Sequence, residues 1–289
     1  PRNHGWCSNI YQLNFFKKNR EIMLKIGVIG FGYWGPNLVR NFNMLQDCQV
    51  SMVADLREDR LSDLKKKFTQ VMTTLSNIEG VSQADIIFLS VKPQQMTPVL
   101  QEIKDKYQNQ LIISIAAGIS IEKIQKYLTN NAPIVRVMPN TPALIQKGIS
   151  GVAFSTAVSD SDKKITLNIL TAIGQAIVLK ESDLDAVTAL SGSGPAYFFA
   201  FIDAMIEAGV ELGLSRDVSK ELVMATGKGA LEMAHSSSDD LATLINKVTS
   251  PGGTTEVALT YFKEKSWKNI IKEAIKKACH RSNELRVMP

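Results

Sequence analysis

The sequence predicts an α/β fold, a doubly wound parallel sheet covered by helices, followed by an all-α C-terminal half. Three observations predict it. Short apolar runs alternate with helical stretches from Leu24 to about Lys180, a glycine-rich turn follows the first run, and beyond Asp183 only helical period remains. The expected organisation is a loose N-terminal extension over residues 1–22, a sheet domain over 23–180 and a helical domain over 181–289.

Residues 1–22 begin with Pro1, are rich in Asn and aromatics, and show no period. Residues 10–16 are too broken to be the apolar core of a signal peptide, and Met23 directly precedes the first good strand, so the fold is expected to start there. Apolar runs at 25–29, 50–54, 85–89, 111–115 and 134–138 read as strands, and 34–45 and 57–68 read as helices between the first of them. Continuous apolar character marks strands covered on both faces, as in a parallel sheet. The breaks Val91-Lys92-Pro93, Ala116-Ala117-Gly118 and Pro139-Asn140-Thr141-Pro142 follow strands. They therefore lie on the carboxyl rim, where ligands of such sheets bind.

In the second half, Ser191-Gly192-Ser193-Gly194-Pro195 punctuates the chain. Pro195 suits the first turn of a helix that runs to about Leu212 and is closed by Gly213. Further helices are expected at 216–235, 239–248, 254–264 and 267–285. The helix at 195–212 is apolar nearly all round, so it must be buried on most sides. Either the centre of a monomeric bundle or the core of a dimer satisfies that requirement.

Composition narrows the function. A length of 289 residues suits two domains, and 45% hydrophobic with 7% aromatic residues is ordinary for a globular protein with a substantial core. The net charge of +5 comes from scattered charges, which favours anionic ligands mildly and argues against nucleic acid as a partner. Cys7, Cys48 and Cys279 have neither metal-like spacing nor a disulfide framework, and His4, His235 and His280 are isolated. No metal and no histidine-based triad are therefore expected, and the location is expected to be the reducing cytoplasm. No run reaches the length of a membrane span, so no membrane partner is expected.

Two motifs carry chemistry. Gly30-Phe31-Gly32-Tyr33-Trp34-Gly35 follows a strand and opens a helix, the context of a Rossmann-type dinucleotide site. Gly30 permits the tight turn, Gly32 lets a pyrophosphate approach the backbone, and Gly35 lets helix and strand pack closely. Asp55 stands twenty residues after Gly35, at the end of the second strand. A carboxylate there can accept both ribose hydroxyls of NADH and would repel the 2′-phosphate of NADPH, a repulsion that Arg57 would partly offset. The coenzyme is therefore NADH or NADPH, with Asp55 leaning to NADH. Far downstream, Thr249-Ser250-Pro251-Gly252-Gly253-Thr254-Thr255 runs into a helical stretch. It reads either as a capped helix start or as a corner that binds a carboxylate through first-turn N–H groups.

Five strings in order and spacing resemble pyrroline-5-carboxylate reductases over about residues 73–285: Leu89-Ser90-Val91-Lys92-Pro93-Gln94, Ser114-Ile115-Ala116-Ala117-Gly118, Arg136-Val137-Met138-Pro139-Asn140-Thr141-Pro142, the segment 185–197 around Ser191-Gly192-Ser193-Gly194-Pro195, and the segment 248–255. The resemblance implies reduction of Δ1-pyrroline-5-carboxylate to L-proline with NAD(P)H, the last step of proline biosynthesis. It also implies a helical dimerisation domain, sometimes within larger rings, and so favours the dimer reading of helix 195–212. By the same resemblance Asn77 matches a cofactor contact near the adenosine half, and Val91, Lys92, Pro93 and Ala117 match segments beside the nicotinamide. Glu181, Thr254 and Thr255 match positions around the substrate, with Ser250 in the same loop. Thr255 Oγ is expected to bond the imine or amine nitrogen, with 252–255 holding the carboxylate.

Residues 24–74, with Tyr33-Trp34-Gly35 in the turn and Asp55-Leu56-Arg57 after the second strand, look more like the glucose-fructose oxidoreductase and inositol dehydrogenase family. That leaves a sugar or inositol dehydrogenase as the competing enzyme and a non-catalytic dinucleotide-binding scaffold as the competing class. The former would need a Glu-Lys-Pro turn and a C-terminal open sheet, where this chain has Val91-Lys92-Pro93 and helices.

Overall fold

A computed structural model describes residues 23–287, so the expectation for residues 1–22 lies outside the described residues. In chain order the sheet half runs β1 (Leu24–Ile29), α1 (Gly35–Phe42), β2 (Cys48–Ala54), α2 (Glu58–Lys67), β3 (Met72–Thr74), α3 (Asn77–Ser82), β4 (Ile86–Leu89), α4 (Pro93–Ile103), β5 (Leu111–Ser114), α5 (Ile121–Tyr127), β6 (Ile134–Met138), β7 (Gly148–Phe154), α6 (Asp160–Thr171) and β8 (Gly174–Val178). The helical half runs α7 (Leu184–Val187), α8 (Gly194–Glu211), α9 (Arg216–Ser236), α10 (Leu241–Lys247), α11 (Thr254–Glu264) and α12 (Trp267–Val287). The expected class is what the chain adopts: a predominantly parallel sheet followed by helices.

The strand order is β3-β2-β1-β4-β5-β6-β7-β8. β1 runs parallel to both β2 and β4, so the order reverses direction between β1 and β4, and the ends of these two strands form the switch point. The strands are short and apolar because both faces are covered: Ile26, Val28, Ile29, Ile87, Phe88 and Leu89 are fully or almost fully buried. Phe42 of α1 packs its ring against Phe88 of β4, 5.1 Å between centroids.

Three strands, β3, β7 and β8, were not read individually from the sequence. β3 has only three residues and β7 carries Ser150 and Gly151 in its interior, so neither presents a long apolar run. One departure from the parallel pattern follows from loop length. Nine residues, 139–147, join β6 to β7, too few for a parallel crossover. Ser155 N donates to Ile134 O at 2.8 Å, which brings the end of the outgoing strand beside the start of the incoming one, the antiparallel arrangement.

The described residues separate into two compact units. One runs through Ser114 and adds Gln125–Val135 and Ser155–Ala172; the other comprises Ile115–Ile124, Arg136–Phe154 and the chain from Ile173 onward. In the second unit the Ser-Gly-Ser-Gly stretch does not break the chain. Residues 188–192 form one widened helical turn, closed by Ser193 N to Thr188 O at 2.9 Å, and α8 begins at once with Pro195 in its first turn. α8 is not the centre of a bundle within one chain, since Phe198, Phe199 and Phe201 are all at least half exposed.

Candidate functional site

The first group of site residues lies in the first unit, at the carboxyl ends of β1, β2 and β4. Gly30 has φ +95°, a backbone that side-chain-bearing residues rarely adopt, and a Cβ there would lie 2.9 Å from Ser90 C and O and 2.8 Å from Val91 Cγ1. The β1 turn and the β4 turn therefore press directly on one another. Gly35 makes room not for the strand but for Phe31, whose ring would stand 2.6 Å from a Cβ and is buried beneath the turn. Gly32 differs: the nearest atom to a Cβ there is Arg60 Nη1 at 3.7 Å, so the space above its backbone is open. Ser90 Oγ, beside Gly30, is buried without a hydrogen-bond partner among the described residues. An open cradle over backbone and an unmatched hydroxyl at the switch point fit the pyrophosphate of a dinucleotide. Tyr33 lies exposed with its ring edge-on to Trp34, 6.2 Å away.

Asp55 is committed to the turn itself. Its Oδ2 accepts from Phe31 N at 2.6 Å and its Oδ1 from Arg57 N at 2.9 Å, while Arg60 Nη1 stands 3.8 Å from Oδ2. Arg57 reaches away, bonding Asp59 Oδ2 at 2.6 Å through Nη2 and Asp59 Oδ1 at 3.1 Å through Nε. That hydrogen bond holds the Asp59 carboxyl below its ordinary range. Asn77 is buried at the start of α3 and donates through Nδ2 to Glu102 Oε2 of α4 at 2.7 Å, tying the two helices together. Val91 follows β4, Lys92 occupies the N-cap position of α4 with an exposed side chain, and Pro93 takes the first helical position.

The second group lies in the second unit. α11 opens at Thr254 after Gly252, which has φ +71°. Gly253 N donates to Ser250 O at 3.0 Å and Gly252 N to Glu256 Oε2 at 2.8 Å, so both glycine donors are engaged within the turn. The first α-helical bond of α11 is Val257 N to Gly253 O at 3.3 Å. The N–H groups of Thr254, Thr255 and Glu256 therefore have no acceptor inside the helix, the usual condition of a first turn. Thr254 and Ser250 are exposed and Thr255 is half-buried.

Glu181 occupies a different position in this unit. Its Oε1 accepts from Ile121 N at 2.8 Å, the first residue of α5, and from Arg136 Nη1 at 3.2 Å. Arg136 is only 4% exposed, so this carboxylate both starts a helix and balances a buried cation. Ala117 is exposed on the loop before α5, and the neighbouring Gly118 packs against the backbone of Leu285 near the end of α12. That end is held by Ser282 Oγ donating to Asp185 Oδ1 at 2.9 Å, with Arg286 Nε 3.0 Å from Asp185 Oδ2.

Sequence reasoning missed Arg60, Glu256, Arg136 and Ser90 as participants. Glu256 carried a legible signal, a glutamate three residues after the N-cap, as in a capping box. Arg60 carried none, because its relation to Asp55 and Phe31 exists only once α2 has formed. Among the described residues no group of three His, Cys, Asp or Glu side chains could hold a metal ion, and no helix is long and apolar enough to cross a membrane.

Comparison with known proteins bears on both groups. Residues 181–285 match the family model described as pyrroline-5-carboxylate reductase dimerisation. Residues 25–118, which include most of the stretch resembling sugar dehydrogenases, match the model described as NADP oxidoreductase coenzyme F420-dependent. The chain is 45% identical over 212 residues to a pyrroline-5-carboxylate reductase of Pseudomonas aeruginosa, covering 73% of this chain and 78% of that protein. It is 36% identical over 270 residues to one from Corynebacterium melassecola, covering 91% and 99%. Among solved structures, a Plasmodium falciparum pyrroline carboxylate reductase with NADP bound superposes with a TM-score of 0.82 at 34% identity, covering 91% of this chain and 98% of that one. Identity of this level over nearly whole proteins leaves one assignment: the chain belongs to the pyrroline-5-carboxylate reductase family.

Proposed function

We propose that this chain reduces Δ1-pyrroline-5-carboxylate to L-proline with NADH or NADPH, as the names of its relatives indicate. When bound, the coenzyme supplies a hydride to the imine carbon. The chain's own residues bind and orient. An imine carbon is already electrophilic, so positioning contributes more than acid strength.

The observation that carries this reading is the opening of α11, where the N–H groups of Thr254, Thr255 and Glu256 lack helical acceptors beside the Thr255 hydroxyl. These three N–H groups hold the substrate carboxylate, with the partial positive charge of the helix start behind them. Gly252 and Gly253 contribute the shape of the turn, and Ser250 fixes it through its carbonyl. Thr255 Oγ bonds the substrate nitrogen and orients it. Glu181 acts chiefly as a positioning residue, fixing the start of α5 and Arg136. The coenzyme lies along Gly30, Phe31, Gly32, Tyr33, Trp34 and Gly35, with Asp55, Arg57 and Asn77 on the adenosine side. Val91, Lys92, Pro93 and Ala117 line the nicotinamide side. Two copies pair through the bare apolar face of α8, and the isolated cysteines suit a cytoplasmic enzyme.

One spectrophotometric assay tests the reading: oxidation of NADH and of NADPH with pyrroline-5-carboxylate, and with a sugar as control. Turnover of the imine alone is expected. Thr255→Ala should lower kcat/KM by about ten- to a hundred-fold, the worth of one hydrogen bond to a charged group. NADH binding should stay near that of the unaltered chain. Unchanged kinetics in the Thr255→Ala variant would remove Thr255 from the site.

A further inference from the structure

We infer that Arg60, and not Asp55, decides how this chain treats the 2′-phosphate that separates NADPH from NADH. The inference deepens the proposed function, since it rests on the reading that the Gly30 turn holds a nicotinamide dinucleotide.

A carboxylate that reads a ribose must present oxygens outward to two hydroxyls. Asp55 does the opposite. Both of its oxygens accept backbone N–H groups of the chain, Phe31 N at 2.6 Å and Arg57 N at 2.9 Å, and its side chain is 10% exposed. It is a strut that holds the glycine turn against the end of β2. Its negative charge, the feature that would repel a 2′-phosphate, faces a guanidinium: Arg60 Nη1 stands 3.8 Å from Asp55 Oδ2.

Arg60 is placed to act outward as well. Its side chain is 37% exposed, and the same Nη1 lies 3.5 Å from Phe31 O and 3.7 Å from the point where a Cβ of Gly32 would stand. The guanidinium therefore borders the open cradle above the turn, on the side where β2 ends and the adenosine ribose of a bound dinucleotide lies. It has five N–H donors in a planar fork suited to a phosphate, and Asp55 and Phe31 O are approached through one nitrogen. Arg57, which the sequence offered for this task, is instead held by Asp59 in an exposed pair. Arg60 thus cancels the local charge and offers donors, so the phosphorylated coenzyme is accepted despite the aspartate.

The test is equilibrium binding to the full-length chain, by calorimetry, of two ligand pairs that differ only in the 2′-phosphate: NADPH against NADH, and 2′,5′-ADP against 5′-AMP. Arg60→Gln is expected to weaken NADPH and 2′,5′-ADP about ten-fold or more while NADH and 5′-AMP change by less than about two-fold. Asp55→Asn is expected to weaken all four ligands together, as loss of a strut would. If Arg60→Gln does not fold, Arg60→Lys decides, with an expected loss of about two- to five-fold on the phosphorylated ligands alone. The inference is overturned if the Arg60 variants shift both members of a pair equally or neither. It is also overturned if Asp55→Asn weakens NADH while strengthening NADPH, which would make Asp55 the reader. Failure of the unaltered chain to bind any of the four ligands would instead sink the coenzyme reading itself, and this inference with it.

Discussion

Arg136 shows how much a single buried charge constrains this fold. At 4% exposure its guanidinium is largely out of water, and Glu181 Oε1 at 3.2 Å is the carboxylate that balances it. Glu181→Gln leaves that cation without its counter-charge and weakens the bond to Ile121 N, so unfolding free energy should fall by about 1–3 kcal/mol, read from denaturant midpoints. A variant with unchanged stability but a raised KM would show that Glu181 works on the substrate instead. Cys48 supplies a pH signature. Burial, with Asp47 adding to it, lifts the thiol from 9.0 to about 11. The native state therefore holds this proton more tightly than the unfolded chain, a contribution present below pH 9 and lost as pH rises towards 11. Cys48→Ala should lose less stability than the unaltered chain between those values, by up to about 2 kcal/mol, in paired melts across that range. Legibility at this scale follows sequence locality. The glycine spacing marks the turn from sequence alone, and Gly35 meets Phe31 within that turn, whereas the Ser90 and Val91 that press on Gly30 come from another segment. The partners of Arg136, Arg60 and Asp55 come from other segments, and spacing says nothing of them.

At the scale of elements, β7 and α7 meet where the chain has no side chain. A Cβ at Gly151 would lie 2.9 Å from Val187 Cγ1 and 3.1 Å from Leu184 Cδ2, so α7 sits directly on the strand. Gly151→Val should cost about 2–3 kcal/mol through overpacking, checked by the urea midpoint at an unchanged slope. β7 was hard to read because Ser150 and Gly151 leave it a continuous apolar run of only Val152 to Phe154. The helices were legible nearly to their ends, because Pro195, Gly213 and the Gly252-Gly253 pair are local start and stop signals. The Ser-Gly-Ser-Gly stretch marks the approach to α8 for a related reason. Small residues permit a break, and here they permit a widened turn that runs on into α8.

At the scale of the whole molecule, the sequence stated a requirement without saying who meets it. An all-round apolar helix must be covered, and α8 of a single chain remains bare along Phe198, Phe199 and Phe201. Only the family resemblance separated a dimer from a bundle core, and the matched dimerisation model agrees with it. Phe199→Glu, at a side chain 65% exposed in one copy, should leave a monomer by sedimentation where the unaltered chain forms a dimer or larger assembly. A monomeric unaltered chain would contradict the proposed pairing.

That uncovered helix also has a thermodynamic consequence. Under the proposed pairing, association adds to the stability of each folded copy, so the melting temperature depends on protein concentration. Each ten-fold dilution then removes about 1.4 kcal/mol per mole of dimer from the folded state. Melts recorded over a range of protein concentrations should shift together downward as the solution thins.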